Sequence, residues 1–148
     1  MSNWTSITVD NLKAAGYGDI VDGARTEATG GVDPVVQEIA DAVARVRRAV
    51  ATGNSLDANE SKVPNSLLGV TVRLALYGLM RRIRFALSED QRNKERDDIS
   101  DLKRIADNKL RVELPDDNGG SGEMQRGNVV AAVNVPRRET GRGRQSGL

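Results

Sequence analysis

The chain has 148 residues, with 22 Lys and Arg against 21 Asp and Glu, so its formal net charge of +1 gives no global field toward nucleic acid or an acidic membrane. It contains no Cys and no His, which excludes disulfides, zinc-thiolate sites and every nucleophile that works through a histidine. The only aromatic residues are Trp4, Tyr17, Tyr77 and Phe85, so a core must be aliphatic and rich in alanine.

In chain order, Met1–Asp10 lacks the basic and apolar regions of a secretion signal. A first short helix is expected from the Thr8 N-cap, with Asp10 in its first turn, Gly16 at its end and Ile7 and Leu12 spaced as a hydrophobic staple. Residues 17–32 carry Gly18, Gly23, Gly30 and Gly31 and read as a loop anchored by Ile20 and Val21. A second helix opens on Asp33 and Pro34 and is expected to close with Gly53 in the left-handed conformation. Val36, Ile39, Val43, Val46 and Val50 recur at three and four and form its stripe, widened by Ala40, Ala42 and Ala49. Residues 54–65 read as a polar loop.

The third helix is predicted over about Ser66–Leu87 and is apolar on two sides. One face carries Leu68, Val72, Leu76, Leu79, Met80, Ile83 and Leu87; the other carries Leu67, Val70, Leu74, Tyr77 and Phe85. A helix of this kind is buried on two sides, so the second face calls for another layer, from this chain or from a neighbouring subunit. Leu67, Val70, Leu74, Tyr77 and Phe85 are accordingly the candidate subunit interface. The Leu67–Met80 run is interrupted by Arg73 and is too short to span a bilayer. The chain is therefore read as soluble and cytoplasmic.

A fourth helix starts with Ser88 and Gln91 at capping-box spacing, and its apolar stripe begins only at Ile99, followed by Leu102, Ile105 and Ala106. Asn108 can close it in the left-handed conformation. Leu110, Val112 and Leu114 alternate with charged residues, as in a strand, and Val129–Val135 is a second β-prone run. These strands could pair with each other or with an edge on another chain. Charge and glycine mark a boundary. Residues 1–115 hold 17 acids and 17 bases, whereas 116–148 hold seven of the 15 glycines and five arginines. The expected architecture is all-α: a small four-helix body, residues 1–115, and an extended C-terminal arm, residues 116–148, carrying one or two short β-prone segments. Val129, Val130, Val133 and Val135 are the candidate docking strand of that arm.

Candidate chemistry is sparse. Glu95, Asp97, Asp98 and Asp101 could converge as a magnesium site, but Arg92, Lys94, Arg96, Lys103 and Arg104 are interleaved with them, the pattern of a solvated helix. Gly119–Gly127 lacks the Lys-Ser/Thr ending of a phosphate loop and reads as a linker. Arg81, Arg82 and Arg84, together with the tail arginines Arg137, Arg138, Arg142 and Arg144, are candidate contacts to DNA or a protein partner. The alternative for the first three is snorkelling, or pairing with acids of the fourth helix. No catalytic residue, cofactor or metal site is expected.

The order of elements carries a resemblance. Ile7-Thr8-Val9-Asp10-Asn11-Leu12 forms a short capped helix, Ala42, Val46 and Val50 lie on a long one, and Leu74-Ala75-Leu76-Tyr77 lies on a third. Leu102-Lys103-Arg104-Ile105-Ala106-Asp107-Asn108 then leads to Leu110 and closes the body. Over roughly residues 5–114 this resembles the small helical head–tail connector proteins of tailed phages, also called adaptor or head-completion proteins. Asn108 stands where those proteins often carry Gly, and the aromatic residue that often follows their second helix is missing. The resemblance implies a structural virion protein and no enzyme. It would form a ring with itself, commonly of twelve subunits, below the portal protein and above a tail-side connector, stopper or tail terminator. The ring would surround the DNA channel, with non-specific contact to the genome and none to a membrane. Its place would be the neck of the virion, after synthesis in the host cytoplasm. The competing expectation is a small helical regulatory or nucleic-acid-binding protein with a basic tail.

Overall fold

A computed structural model describes residues 2–116. They are mostly helical, with one small two-stranded sheet. In chain order the elements are β1 (Trp4–Ser6), α1 (Val9–Leu12), a wide π-type turn (Lys13–Tyr17), α2 (Gly18–Glu27), α3 (Pro34–Ala51), β2 (Lys62–Pro64), a 3-10 turn (Asn65–Leu67), α4 (Leu68–Arg82) and α5 (Glu89–Ala106). The expected arm, with its candidate strand Val129, Val130, Val133 and Val135 and its arginines Arg137, Arg138, Arg142 and Arg144, lies outside the described residues.

The caps written into the sequence position the helices. The Asp33 carboxylate accepts from the Val35 amide at 2.9 Å and is also held by Arg25 at 2.8 Å, which keeps it below the usual carboxylate range. Pro34 follows at the first helical position. Ser88 and Gln91 form the expected reciprocal box at the start of α5. Asn108 closes α5 with φ 60, and the Lys109 amide reaches back to the Arg104 carbonyl at 2.7 Å.

α3 lies at the centre of the bundle, against α4 on one side and α5 on another. Val35, Val46 and Val50 are fully buried along it, as are Leu79 on α4 and Ile105 on α5. Each buried side chain of this size contributes roughly 1.5–3 kcal/mol. The second layer demanded by α4 comes from this chain. Leu67, Val70 and Leu74 join the main core, while Tyr77 packs with Leu76 and Met80 against Tyr17, Ile20 and Leu87. Four of the five candidate interface residues are therefore internal, and only Phe85 stays exposed, at 54%.

Several elements differ from the sequence expectation. Residues 18–27 form α2 rather than a loop. Gly16, at φ 95, turns the chain into it, and Val21 and Ala24, three apart, are buried, so packing overrides the poor helix propensity of its glycines. The alternating run Leu110–Leu114 makes no ladder; instead β1 pairs antiparallel with β2, Trp4 opposite Pro64 and Ser6 opposite Lys62. The 110–114 segment is held beside β1 through side chains. The Trp4 indole N–H donates to the Glu113 carbonyl at 2.9 Å, and the Ser66 amide and hydroxyl both donate to the Glu113 carboxylate, at 2.6 and 2.7 Å. Gly53 does not take a left-handed conformation, since Gly16 alone among the described glycines has positive φ. α4 ends five residues early, at Arg82, because Arg84 adopts φ 59 and reverses the chain. Two apolar residues assigned to inward stripes face out, Val36 at 53% and Ile99 at 38% exposure.

Candidate functional site

Three places on the body concentrate chemistry: a buried ion pair between α4 and α5, an arginine-lined hook after α4, and an apolar groove on the outer side of α3.

The buried pair was not legible in the sequence. On α5 the inward positions are Asp98, Leu102 and Ile105, at i, i+4 and i+7, so a carboxylate occupies the slot that Ile99 was expected to fill. Asp98 is 1% exposed. Arg73 of α4 meets it with two parallel bonds, Nε to Oδ2 at 2.7 Å and Nη2 to Oδ1 at 2.8 Å. The hydrogen bonds that Arg73 donates to the Asp98 carboxylate raise the Arg73 pKa further. Tyr77 packs beside the pair, and burial pushes its phenol above the ordinary tyrosine value, so it stays protonated. A bidentate pair of this kind fixes geometry as well as charge. It pins α5 to α4 in one register. The signal that could have found it is the helical spacing of Asp98 to Leu102 and Ile105, which places the carboxylate on the buried face.

Two other acids of this helix are also answered by arginines. Glu95 accepts from Arg81, and Asp101 lies 3.5 Å from Arg104. Among the described residues no group of three or more acids could hold a metal ion.

The hook is built from the α4 terminus. Its last turn closes with the Phe85 amide bonded to the Met80 carbonyl at 2.7 Å and the Arg84 amide to the Arg81 carbonyl at 3.1 Å. This is the helix-ending motif that normally places glycine at the left-handed site, and here Arg84 occupies it. The result is a rigid reversal that presents Phe85 to solvent. Arg92 fastens the far side by donating to the Leu87 carbonyl at 2.7 Å. A shallow cleft lies within the hook, lined by Arg81, Arg84 and Arg92 with Phe85. The three candidate contact arginines thus part company. Arg81 is drawn to Glu95. Arg82 bonds the Pro34 carbonyl and Gln37 and sits 3.8 Å from Glu38, tying α4 to the start of α3. The Arg84 side chain has no hydrogen bond or salt bridge among the described residues.

The groove, of about 580 Å³, runs along α3 on the side away from α4. Ile7, Ile39 and Val43 form its floor and Val36, Ala40 and Ala44 its exposed edge. At one side Arg47 is immobilised: it donates to the carbonyls of Asp57, Asn59 and Lys62, and its guanidinium stacks 5.6 Å from the Trp4 ring centre. No helix of the described residues is long and apolar enough to cross a membrane. Compared with known proteins, the chain matches no family model, no curated protein and no solved structure.

Proposed function

We propose that this chain is a structural assembly subunit of the head–tail connector kind: a virion protein that forms a ring with its own copies under a portal and joins capsid to tail around a DNA channel. The observation that carries the reading is the hook. An aromatic side chain 54% exposed, held at a fixed position by two backbone hydrogen bonds and a left-handed arginine, is what an interface uses as an anchor. The other apolar residues that the sequence assigned to an interface are buried within the chain, which leaves Phe85 for a contact outside the body. The short α1, the long α3, the apolar α4 and the capped α5, in that order and with α2 between the first two, also support the reading. On it, residues 1–115 are the connector body, residues 116–148 the arm expected from the sequence, and the task is interfacial, with no reaction and no cofactor.

Mass and shape in solution, alone and with a candidate portal, test this. Ring-sized particles whose formation falls in Phe85→Glu support it. A chain that stays monomeric and binds no portal overturns it. The arginine-lined cleft beside Phe85 favours one second reading, a small nucleic-acid-binding protein. Salt-dependent DNA binding by the free monomer would choose that reading instead.

A further inference from the structure

The α3 groove offers a surface that the hook does not use. Its edge residues Val36, Ala40 and Ala44 fall at i, i+4 and i+8, with the floor of Ile39 and Val43 only 8% and 5% exposed behind them. An exposed valine beside an apolar channel on the central helix of the bundle is an unpartnered face.

Its charges say what fits there. Asp41 and Arg48 both lie exposed along the same edge of the stripe, and neither has a salt-bridge partner among the described residues. They are seven residues apart, about 10.5 Å along the axis and about 20° around it. An antiparallel copy of α3, related by a twofold axis passing between Ala44 and Arg45, therefore sets Asp41 of each helix beside Arg48 of the other. The same axis brings the two Ala44 side chains together, where their size allows close approach. It also carries each Val36 toward the Ala51–Leu56 end of the opposite groove, which Leu56 and Ala51 line. One operation thus answers both charges and the exposed valine.

We infer that the α3 groove is a self-association surface, occupied by the α3 helix of a second copy in antiparallel, twofold arrangement. This goes beyond the ring reading and does not rest on it: a twofold contact closes on two copies, whereas a ring needs a head-to-tail contact.

Sedimentation of the full chain over a range of concentrations tests the inference. The wild type should show a monomer–dimer equilibrium. Asp41→Arg and Arg48→Asp, each of which puts like charges together twice, should each weaken the dimer about tenfold or more. The double exchange Asp41→Arg/Arg48→Asp should restore it. Ala44→Glu, which places two carboxylates at the axis, should give a monomer. All three positions are exposed, so circular dichroism should confirm the unchanged fold. A wild type that stays monomeric at high concentration, or a dimer indifferent to the single reversals, overturns the inference. A dimer that both reversals weaken but that the double exchange fails to restore overturns the antiparallel pairing. Larger rings that persist in the reversed variants leave the hook reading standing while the α3 result decides this one.

Discussion

Asn108 lies where a side chain on Gly53 would have to go: a Cβ built on Gly53 would run into Asn108 Oδ1. The two residues end the two long helices α3 and α5, and the Thr52 hydroxyl donates to the Ala106 carbonyl at 2.8 Å beside them. Gly53 therefore serves close approach to the exposed Asn108 side chain rather than a left-handed turn. Gly53→Ala should destabilise by at most about 1 kcal/mol, because the end of the Asn108 side chain can swing aside into water. Asn108→Gly should be close to neutral, because glycine suits the left-handed helix end. In the Asn108→Gly background the cost of Gly53→Ala should largely vanish. Denaturant unfolding of the four proteins measures the coupling. Equal costs in both backgrounds would mean the clash is absorbed elsewhere.

The Arg73–Asp98 pair gives the second prediction. Asp98→Asn or Asp98→Ala leaves the Arg73 guanidinium without its carboxylate and should cost on the order of 3 kcal/mol, the low end for a broken buried pair, since the Arg73 side chain is 31% exposed. Replacing both, Arg73→Met with Asp98→Leu, should recover most of that loss, because the pair must offset its own desolvation. A double variant as unstable as Asp98→Ala would show that the ion pair itself, and not only its complementarity, sustains the α4–α5 contact.

How much of this was written in the sequence depends on whether the signal was local. The Asp33–Pro34 start, the Ser88/Gln91 box and the Asn108 end are set by neighbouring backbone, and the structure has all three. α2 was hidden because its glycines speak locally against a helix while its support, the burial of Val21 and Ala24, is tertiary. Residues 62–64 carry only one apolar residue besides proline, so nothing local marked them as the partner of Trp4–Ser6. In the sequence Asp98 sits among interleaved charges and reads as part of a wet face. Its burial depends on Arg73, 25 residues away, arriving with a matching fork. Periodicity alone gives a helix one apolar face and places Val36 inward, whereas α3 carries a buried face and an exposed groove with Val36 at its edge.

Acid should loosen the segment that follows α5. Burial works against the Glu113 carboxylate, but the hydrogen bonds from the Ser66 hydroxyl and amide outweigh it and hold its pKa below the ordinary glutamate value. Asp116, accepting from the Ser2 hydroxyl and the Asn3 amide, is lowered as well. A carboxylate with a depressed folded pKa contributes stability that is fully present above its unfolded value, about 4.3 for Glu, and lost as pH falls through the folded one. Trp4 is the only tryptophan and its indole N–H bonds the Glu113 carbonyl, so its fluorescence reports this segment directly. Emission should shift to the red below about pH 4. Glu113→Gln should already show the loosened spectrum at pH 7 and a shallower pH response. A variant with the wild-type titration would assign the acid transition to other groups.

Arg84 supplies the last prediction. It holds φ 59 at the end of α4, a conformation that costs a residue with a Cβ roughly 1–2 kcal/mol relative to glycine. Arg84→Gly removes that strain but adds freedom to the unfolded chain, which takes back about 0.5–1 kcal/mol. The net should be stabilising by about 0.5–1 kcal/mol, a rise of roughly 2–4 °C in Tm for a body of this size. Arg84→Ala separates backbone from charge: it removes the guanidinium while keeping the strain, and should gain little. If alanine stabilises as much as glycine, the relief comes instead from easing repulsion among Arg81, Arg84 and Arg92, which line the same cleft. On the proposed reading the Arg84 side chain serves contact, at a backbone position that suits glycine better. Both variants should therefore lower the ring formation proposed for the chain, even as Arg84→Gly raises its Tm. A more stable Arg84→Gly that also assembles as well as the wild type would remove Arg84 from the interface and leave Phe85 as its anchor.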